Sequence, residues 1–461
     1  MRIGSASSAD LDQGFARIRA EFSLPDAFRP EVVAVAEIAA AKPLGSEHVD
    51  RTEMPFVTLD PAASTDLDQA FCLERAGGDL VLHYAIADVG WFVDAGDVLD
   101  REAWARGTTM YLPDAKVSLY PKELSEGAAS LLPDGPRPAV MFTVRLDPAG
   151  LARLAGVERV VIRSRAKLAY DHVTAADLPP EMAEFSKRMD AADLARGAVR
   201  IEPPEQEVER TGDEYHIAYR PRLASEQLNA SLSLATNLAV ATALFEAGTG
   251  LFRVMDEPDE RAIRRLRHTA RALGVPWATA TTVADFERTL RAVDPRHAAV
   301  MLAIRRAGGG ARYVPFRPGE VPWHAAMAAT YAHATAPLRR LADRYVVGAA
   351  LALASDGTVG AEIAAAFEEL PAVMERADTI GHRIDRAAID LVEAVVLHER
   401  EGSTFTAIVT DIDDRGARIQ LCEVAVVARV GAPNLAPGDE IRVKLVQADP
   451  AQRLVRFERV A

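Results

Sequence analysis

Three aspartates carry the densest chemical signal in the chain. Asp60, Asp66 and Asp68 fall within Leu59-Asp60-Pro61-Ala62-Ala63-Ser64-Thr65-Asp66-Leu67-Asp68-Gln69-Ala70. The segment follows Phe56-Val57-Thr58-Leu59, a β-branched and aromatic run that reads as a strand. On extended backbone, residues two apart share a face, so Asp66 and Asp68 converge while Leu67 points inward. Asp60 can add a third carboxylate from across the Ser/Thr loop. Hard oxygen donors gathered in this way suit Mg²⁺ or Mn²⁺. A calcium loop does not fit, because no Gly follows at the required place and no Glu closes the loop. The plain alternative is that these aspartates simply populate turns. The ten histidines form no His-Glu-x-x-His or clustered zinc spacing, and no Gly-x-Ser-x-Gly or phosphate-binding Gly-x-x-x-x-Gly-Lys loop occurs, which disfavours serine and zinc hydrolysis.

The elements that must position these residues form an α+β pattern. Residues 10–41 read as two short helices broken at Leu24-Pro25-Asp26, and Lys42-Pro43-Leu44-Gly45-Ser46 punctuates their end. Leu80–Ile86 and Val140–Val144 read as strands, whereas Ala224–Ala247, Glu260–Leu273 and the stretch from Pro337 to Leu353 read as helices. Helix 260–273 carries Arg261, Arg264, Arg265, Arg267 and Arg271 around an apolar stripe, a face that suits either a polyanion or solvent. After Gly402 come five short strands, with Asp413-Asp414-Arg415-Gly416 and Pro437-Gly438-Asp439 as turns, which predict a small OB-type barrel. The expected divisions are a helical segment over 1–52, a catalytic domain over 53–400 with mixed sheet and helices, and the barrel over 401–461.

Composition bounds the partners. With 53 Lys+Arg against 67 Asp+Glu, the net charge of −14 excludes a general basic coat, so a nucleic acid needs locally concentrated positive charge or intervening metal ions. Cys72 and Cys422 are too few to staple a secreted scaffold, and the first residues lack a basic-then-apolar signal pattern, so the cytoplasm is the expected location. The longest uninterrupted apolar runs fall short of the roughly 20 residues that cross a bilayer, and no membrane or obligate protein partner is expected.

Taken together, Asp60 through Ala70, Tyr84-Ala85-Ile86-Ala87-Asp88-Val89, Met110-Tyr111-Leu112-Pro113, Leu131-Leu132-Pro133 and Tyr331-Ala332-His333-Ala334-Thr335-Ala336-Pro337-Leu338-Arg339-Arg340 resemble the ribonuclease II (RNB) family in order and spacing. The layout is similar to the short, Deinococcus-type members, because the space before Asp60 is too small for paired cold-shock domains. The resemblance implies a central RNB catalytic domain followed by an OB-fold RNA-binding domain. It also implies magnesium-assisted hydrolysis of RNA from the 3′ end, with release of nucleoside 5′-monophosphates. Asp60, Asp66 and Asp68 then match the metal carboxylates, with Asp68 also catalytic. Tyr111 matches a base-stacking aromatic and Arg339 the catalytic arginine, with Arg340 beside it in RNA binding. Thr335 and Pro337 read as a cap and an early helical position, which puts Arg339 in a first helical turn that favours anions.

The chain also departs from the family pattern. Gln69 stands where a fourth aspartate is usual and is a candidate metal ligand of lower charge. Ala230 and Ser231 replace a Glu pair, with Glu226 one turn earlier on the same face as a candidate RNA contact. Asp385 falls near a late family glutamate, Ile201 near an aromatic clamp position, and Met255 where a histidine is usual. The expected partners are single-stranded RNA 3′ ends and duplexes with 3′ overhangs. Two other readings are an RNA-binding or regulatory protein with a weakened site and a nuclease acting on single-stranded DNA.

Overall fold

A computed structural model of the chain describes residues 6–199, 205–211, 214–220, 222–291, 294–413, 415–431 and 433–460. The aromatic and β-branched runs form strands. β1 (Thr58–Asp60) ends on the first aspartate. β2 (Gln69–Ala76) and β3 (Asp79–Ala87) pair antiparallel through a tight turn at Gly77, whose φ of 66° favours glycine. A short hairpin follows, β4 (Met110–Tyr111) and β5 (Lys116–Val117), and then the long strands β6 (Arg137–Leu146) and β7 (Ala152–Ile162). The main sheet runs β7-β6-β3-β2, with Val49–Asp50 added in parallel outside β7. β8 (Lys167–Ala169) pairs in parallel with β1 and sets Ala169 opposite Asp60, fixing the strand that presents this carboxylate.

The two N-terminal helices do not form one appendage. α1 (Ser8–Glu21) buries Leu11, Phe15 and Ile18 in the core shared with the C-terminal barrel, whereas α2 (Pro30–Ala40) buries Val32 and Ala36 in the core of the main sheet. The expected 1–52 unit is therefore divided between two cores.

α3 (Ala224–Glu246) lies against β6 and β7. It is long and apolar enough to cross a bilayer by length and composition, which apolar runs alone did not register, but 67% of its most apolar window is buried inside the protein. Glu226 caps its first turn by accepting the Leu223 N–H at 2.7 Å.

Between two antiparallel neighbours, β9 (Leu251–Val254) and β10 (Arg312–Pro315), the chain makes a helical excursion of α4 (Glu260–Ala272), α5 (Val283–Glu287) and α6 (Pro295–Ala307). Asp259, Thr282 and Asp294 cap these helices through their side chains. The excursion has its own small core, in which Leu266, Phe286, Val300 and Met301 are buried and Trp277 stacks on Phe286 at 4.1 Å. Sequence reading found α4 but not this separate core. Arg267 of the arginine-rich face donates to the carbonyls of Ala278, Thr279 and Thr281 and covers Trp277, so it closes the excursion on itself.

α7 (Leu341–Asp356) leads to α8 (Ala361–His398), which joins the two main cores. Leu370 and Met374 belong to the sheet core, and Ala377, Ile384 and Leu391 to the barrel core. Pro371 interrupts the backbone ladder of α8 just before this change of neighbours. Gly14 of α1 packs so closely on Leu391 that a side chain would not fit without displacing it. The barrel consists of β11 (Thr404–Asp413), β12 (Gly416–Leu421), β13 (Val427–Val430), β14 (Glu440–Asp449) and β15 (Leu454–Arg459), in the order β13-β12-β11-β14-β15. Its edges β13 and β15 approach each other and nearly close it. The fold is thus α+β with a C-terminal five-stranded OB-type barrel.

Candidate active site

Leu67 is fully buried, with its N–H on Ser130 Oγ at 2.9 Å, and this anchors the residue between Asp66 and Asp68. Asp68 is buried. Its Oδ1 accepts the Leu338 N–H at 2.7 Å, and its Oδ2 lies 3.2 Å from Arg339 Nε. Burial pushes the Asp68 carboxyl up to about 7 despite the pull of Arg339. Burial likewise raises Asp60 to about 6 against Arg339, and neighbouring Asp66 adds to the rise. Asp66, its side chain mostly covered, is held by the hairpin: Tyr111 donates its hydroxyl to Oδ2 at 3.1 Å and Lys116 Nζ sits 3.2 Å from Oδ1. Burial and then Asp66 hold the Tyr111 phenol above its ordinary value, while the Tyr111 residue remains 51% exposed.

The Gln69 amide is engaged by protein partners. Its Nε2 donates to Thr335 O at 2.7 Å, and its Oε1 accepts from Tyr84 at 2.5 Å and from Ser233 at 3.3 Å. Both ends of the amide are engaged in cross-linking β2, β3, α3 and the 335 loop. The expected ligand role is replaced by a structural one.

The 334–340 loop departs from the expected helical start. Arg339 lies in a turn, and α7 begins only at Leu341, because Arg340 has extended φ/ψ and bridges Thr108. The anion-favouring first turn therefore does not include Arg339. Six hydrogen bonds hold the loop: Asn237 Oδ1 on the Ala334 N–H, Gln69 on Thr335 O, Asp343 on the Ala336 N–H, Asp68 on the Leu338 N–H, and Thr108 and Thr109 on Arg339 O. The Arg339 side chain is left 43% exposed. Arg340 is mostly buried and forms a two-pronged pair with Asp343, at 2.9 and 2.7 Å. Burial opposes its charge, yet Asp343 outweighs that and holds the guanidinium above its ordinary value. Arg340 therefore fixes the loop, although it also borders the cavity. Sequence reading gave Asp343 no role. It missed Thr108 and Lys116, whose roles arise from tertiary contacts.

A cavity of about 1850 Å³ opens beside these residues. Asp60, Gln69, Arg339 and Arg340 line one end, Glu226 and Asn229 of α3 one wall, and the helical excursion another. Trp323, 46% exposed, and Gln420 of the barrel also border it. Asp385 does not line the cavity. It is exposed on α8 beside Ile384, which faces the barrel core. Ile201 lies outside the described residues.

The family profile described as "RNB domain" matches residues 48–352, and "RNase II-type exonuclease C-terminal S1 domain" matches residues 403–460. The chain belongs to the RNB family. It is similar to ribonuclease R of Aquifex aeolicus, with 28% identity over 94% of this chain and 64% of that protein. It is also similar to ribonuclease R of Escherichia coli, with 26% identity over 84% of this chain and 51% of that protein. The chain thus spans roughly half to two thirds of these relatives' lengths. The structure of Mycoplasma genitalium RNase R with ribose-methylated single-stranded RNA matches with a TM-score of 0.86 at 19% identity, covering 98% of this chain and 78% of that one. Yeast Ssd1, described as a pseudonuclease, matches with a TM-score of 0.72 at 16% identity, covering 97% of this chain and 58% of that one. At these identities the likeness is one of fold.

No trio of His, Cys, Asp or Glu forms a ready metal cage among the described residues of this RNB chain. A hard divalent ion takes carboxylate oxygens together with water and substrate phosphate oxygens. Asp60 supplies the matching donor. Its carboxylate borders the cavity, is largely desolvated and has no side-chain hydrogen bond among the described residues. The donor chemistry fits a hard divalent ion.

Proposed function

We propose that this chain is a metal-dependent 3′→5′ exoribonuclease that hydrolyses RNA phosphodiester bonds with Mg²⁺, or Mn²⁺ in its place, and releases nucleoside 5′-monophosphates. The observation that carries the reading is the contact of Asp68 with both Leu338 N–H and Arg339, which sets an exposed guanidinium beside the Asp60 carboxylate at one end of the cavity. Asp60 and Asp68, with Asp66 after release from its protein partners, would hold the ion. When bound, it supplies Lewis acidity and charge neutralisation at the scissile phosphate. Arg339 can grip a phosphate through two parallel N–H bonds, oriented by Asp68 Oδ2. The exposed Tyr111 ring offers a face to any base and so stacks without reading sequence. Glu226, at the cavity wall, would contact RNA through a ribose hydroxyl, since its carboxylate accepts hydrogen bonds and repels phosphate.

Grip on RNA away from the site is weak in this reading. From Ser403 onward the chain has 8 Lys+Arg and 8 Asp+Glu. Its two aromatics, Phe405 and Phe457, are buried against each other at 5.9 Å, leaving no barrel ring for stacking. The barrel should therefore add little RNA affinity and, with few phosphate contacts, little to its fall with salt. Single-stranded 3′ ends and duplexes with 3′ overhangs are the proposed substrates, and the cytoplasm the proposed location, in keeping with two unpaired cysteines.

The test is to incubate the purified chain with 5′-labelled RNA, matched DNA and an overhanging duplex, with and without Mg²⁺, and to identify the products. Metal-dependent release of 5′-mononucleotides from RNA, lost in Asp68→Asn, supports the reading. Binding without cleavage favours the regulatory alternative motivated by the engaged Gln69 side chain, and equal digestion of DNA favours the broader nuclease.

A further inference from the structure

Tyr111 and Lys116 are direct cross-strand partners in the β4/β5 hairpin, so their side chains project from the same face. Both reach Asp66, one to each carboxylate oxygen. Lys116 is in turn held by Glu126, whose Oε1 lies 2.6 Å from Nζ on the π-helical turn Leu124–Ala128. An ammonium thus sits on a carboxylate to which the family resemblance gives a metal, next to a site where Gln69 supplies no negative charge.

We propose that Lys116 is a resident counter-cation of the active site, which a divalent ion must displace from Asp66 before that carboxylate can bind metal. The inference rests on the metal-dependent reading above and adds a residue that sets its metal threshold. The physical basis is competition. A carboxylate oxygen already neutralised by an ammonium is a poorer ligand until the ammonium withdraws. Glu126 gives the displaced ammonium a place to go. It also sets the direction of the effect, because it draws Lys116 away from Asp66 and eases metal entry. Asp66 cannot turn fully to an ion without also releasing the Tyr111 hydroxyl, so metal loading frees the exposed Tyr111 ring as well. Lys116 is a positioning residue here and touches neither substrate nor ion.

Mn²⁺ titration of the full chain, read from the electron paramagnetic resonance signal of the free ion, tests this without reference to hydrolysis. Lys116→Met should bind Mn²⁺ about tenfold more tightly than the unsubstituted chain, while Lys116→Arg stays close to it. Glu126→Gln should weaken binding about tenfold, and this effect should shrink sharply in the Lys116→Met background, since Glu126 acts through the lysine. In an Asp66→Asn background, Lys116→Met should change little. Unaltered Mn²⁺ affinity in Lys116→Met overturns the inference, as does a Glu126→Gln effect of equal size in both backgrounds. Absence of Mn²⁺ binding in every variant overturns the metal-dependent reading as well, whereas the expected titrations without RNA hydrolysis strike only the exonuclease assignment.

Discussion

Arg339 and Asp68 meet across more than half the chain, and what each contributes depends on shape as well as charge. Arg339→Lys keeps the positive charge but loses the planar fork, so the hydrolysis rate should fall about 10²-fold with little change in RNA affinity. Single-turnover digestion with binding measured in parallel checks this, and equal rates for Lys and Arg would show that charge alone suffices. The carboxyls also tie stability to pH. Asp60 and Asp68 titrate near 6 and 7 when folded, against an ordinary value of 3.8, so between about pH 4 and 7 the folded chain holds more protons than the unfolded one. The metal-free protein should therefore lose stability as pH rises through that window. Mg²⁺ binds the deprotonated form, so the rise in Tm on its addition should be small near pH 5.5 and larger near pH 8. Thermal melts at several pH values, with and without Mg²⁺, decide this; a metal-free Tm that climbs from pH 5.5 to 8 would contradict it.

Elements supply the precision that single residues lack. The 334–340 loop is irregular, yet every anchor on it is a defined hydrogen bond, and Asp343 holds both the Ala336 N–H and Arg340. Asp343→Asn leaves a buried guanidinium without its counter-charge and should cost about 3 kcal/mol of stability. Urea unfolding measures it, and a loss below about 1 kcal/mol would mean that the pair is not a significant brace. Sequence alone revealed the strand before Asp60, the inward Leu67, the arginine-rich helix of the excursion and the barrel strands, because each has a local period or turn signal. It misplaced Arg339 in a helix because Pro337 resembles a helical first position, whereas the Thr108 bridge that keeps Arg340 extended is a long-range contact. It assigned Gln69 to an ion because neither Tyr84 nor Thr335 is near it in sequence. Lys116 escaped notice because its meaning depends on a hairpin register and on Glu126.

At the scale of the whole molecule, α8 makes the barrel and the RNB region interdependent. Its second half presents Ala377, Ile384, Leu391 and Leu397 to a core completed by α1 and the barrel strands. A chain ending at residue 400 would expose this apolar face and that of α1. It should accumulate in the insoluble fraction or bind a hydrophobic dye, whereas the full chain should not. A soluble truncated protein with an intact near-ultraviolet circular dichroism spectrum would show that the barrel is separable. The excursion bears on the same question, since Arg306 of α6 pairs with Asp411 of the barrel at 3.2 Å and ties the cavity wall to the last domain.

The packing of Gly14 against Leu391 sets a condition on how the protein is made. α1 leaves the ribosome well before α8, and its burial partners in α8 and the barrel are synthesised about 370 residues later, which at about 5–20 residues per second is a wait on the order of half a minute. Throughout that interval Leu11, Phe15 and Ile18 have nowhere native to go. A nascent chain stalled between α1 and α8 carries an apolar helix whose native burial partners do not yet exist, a ready handle for chaperones and proteases.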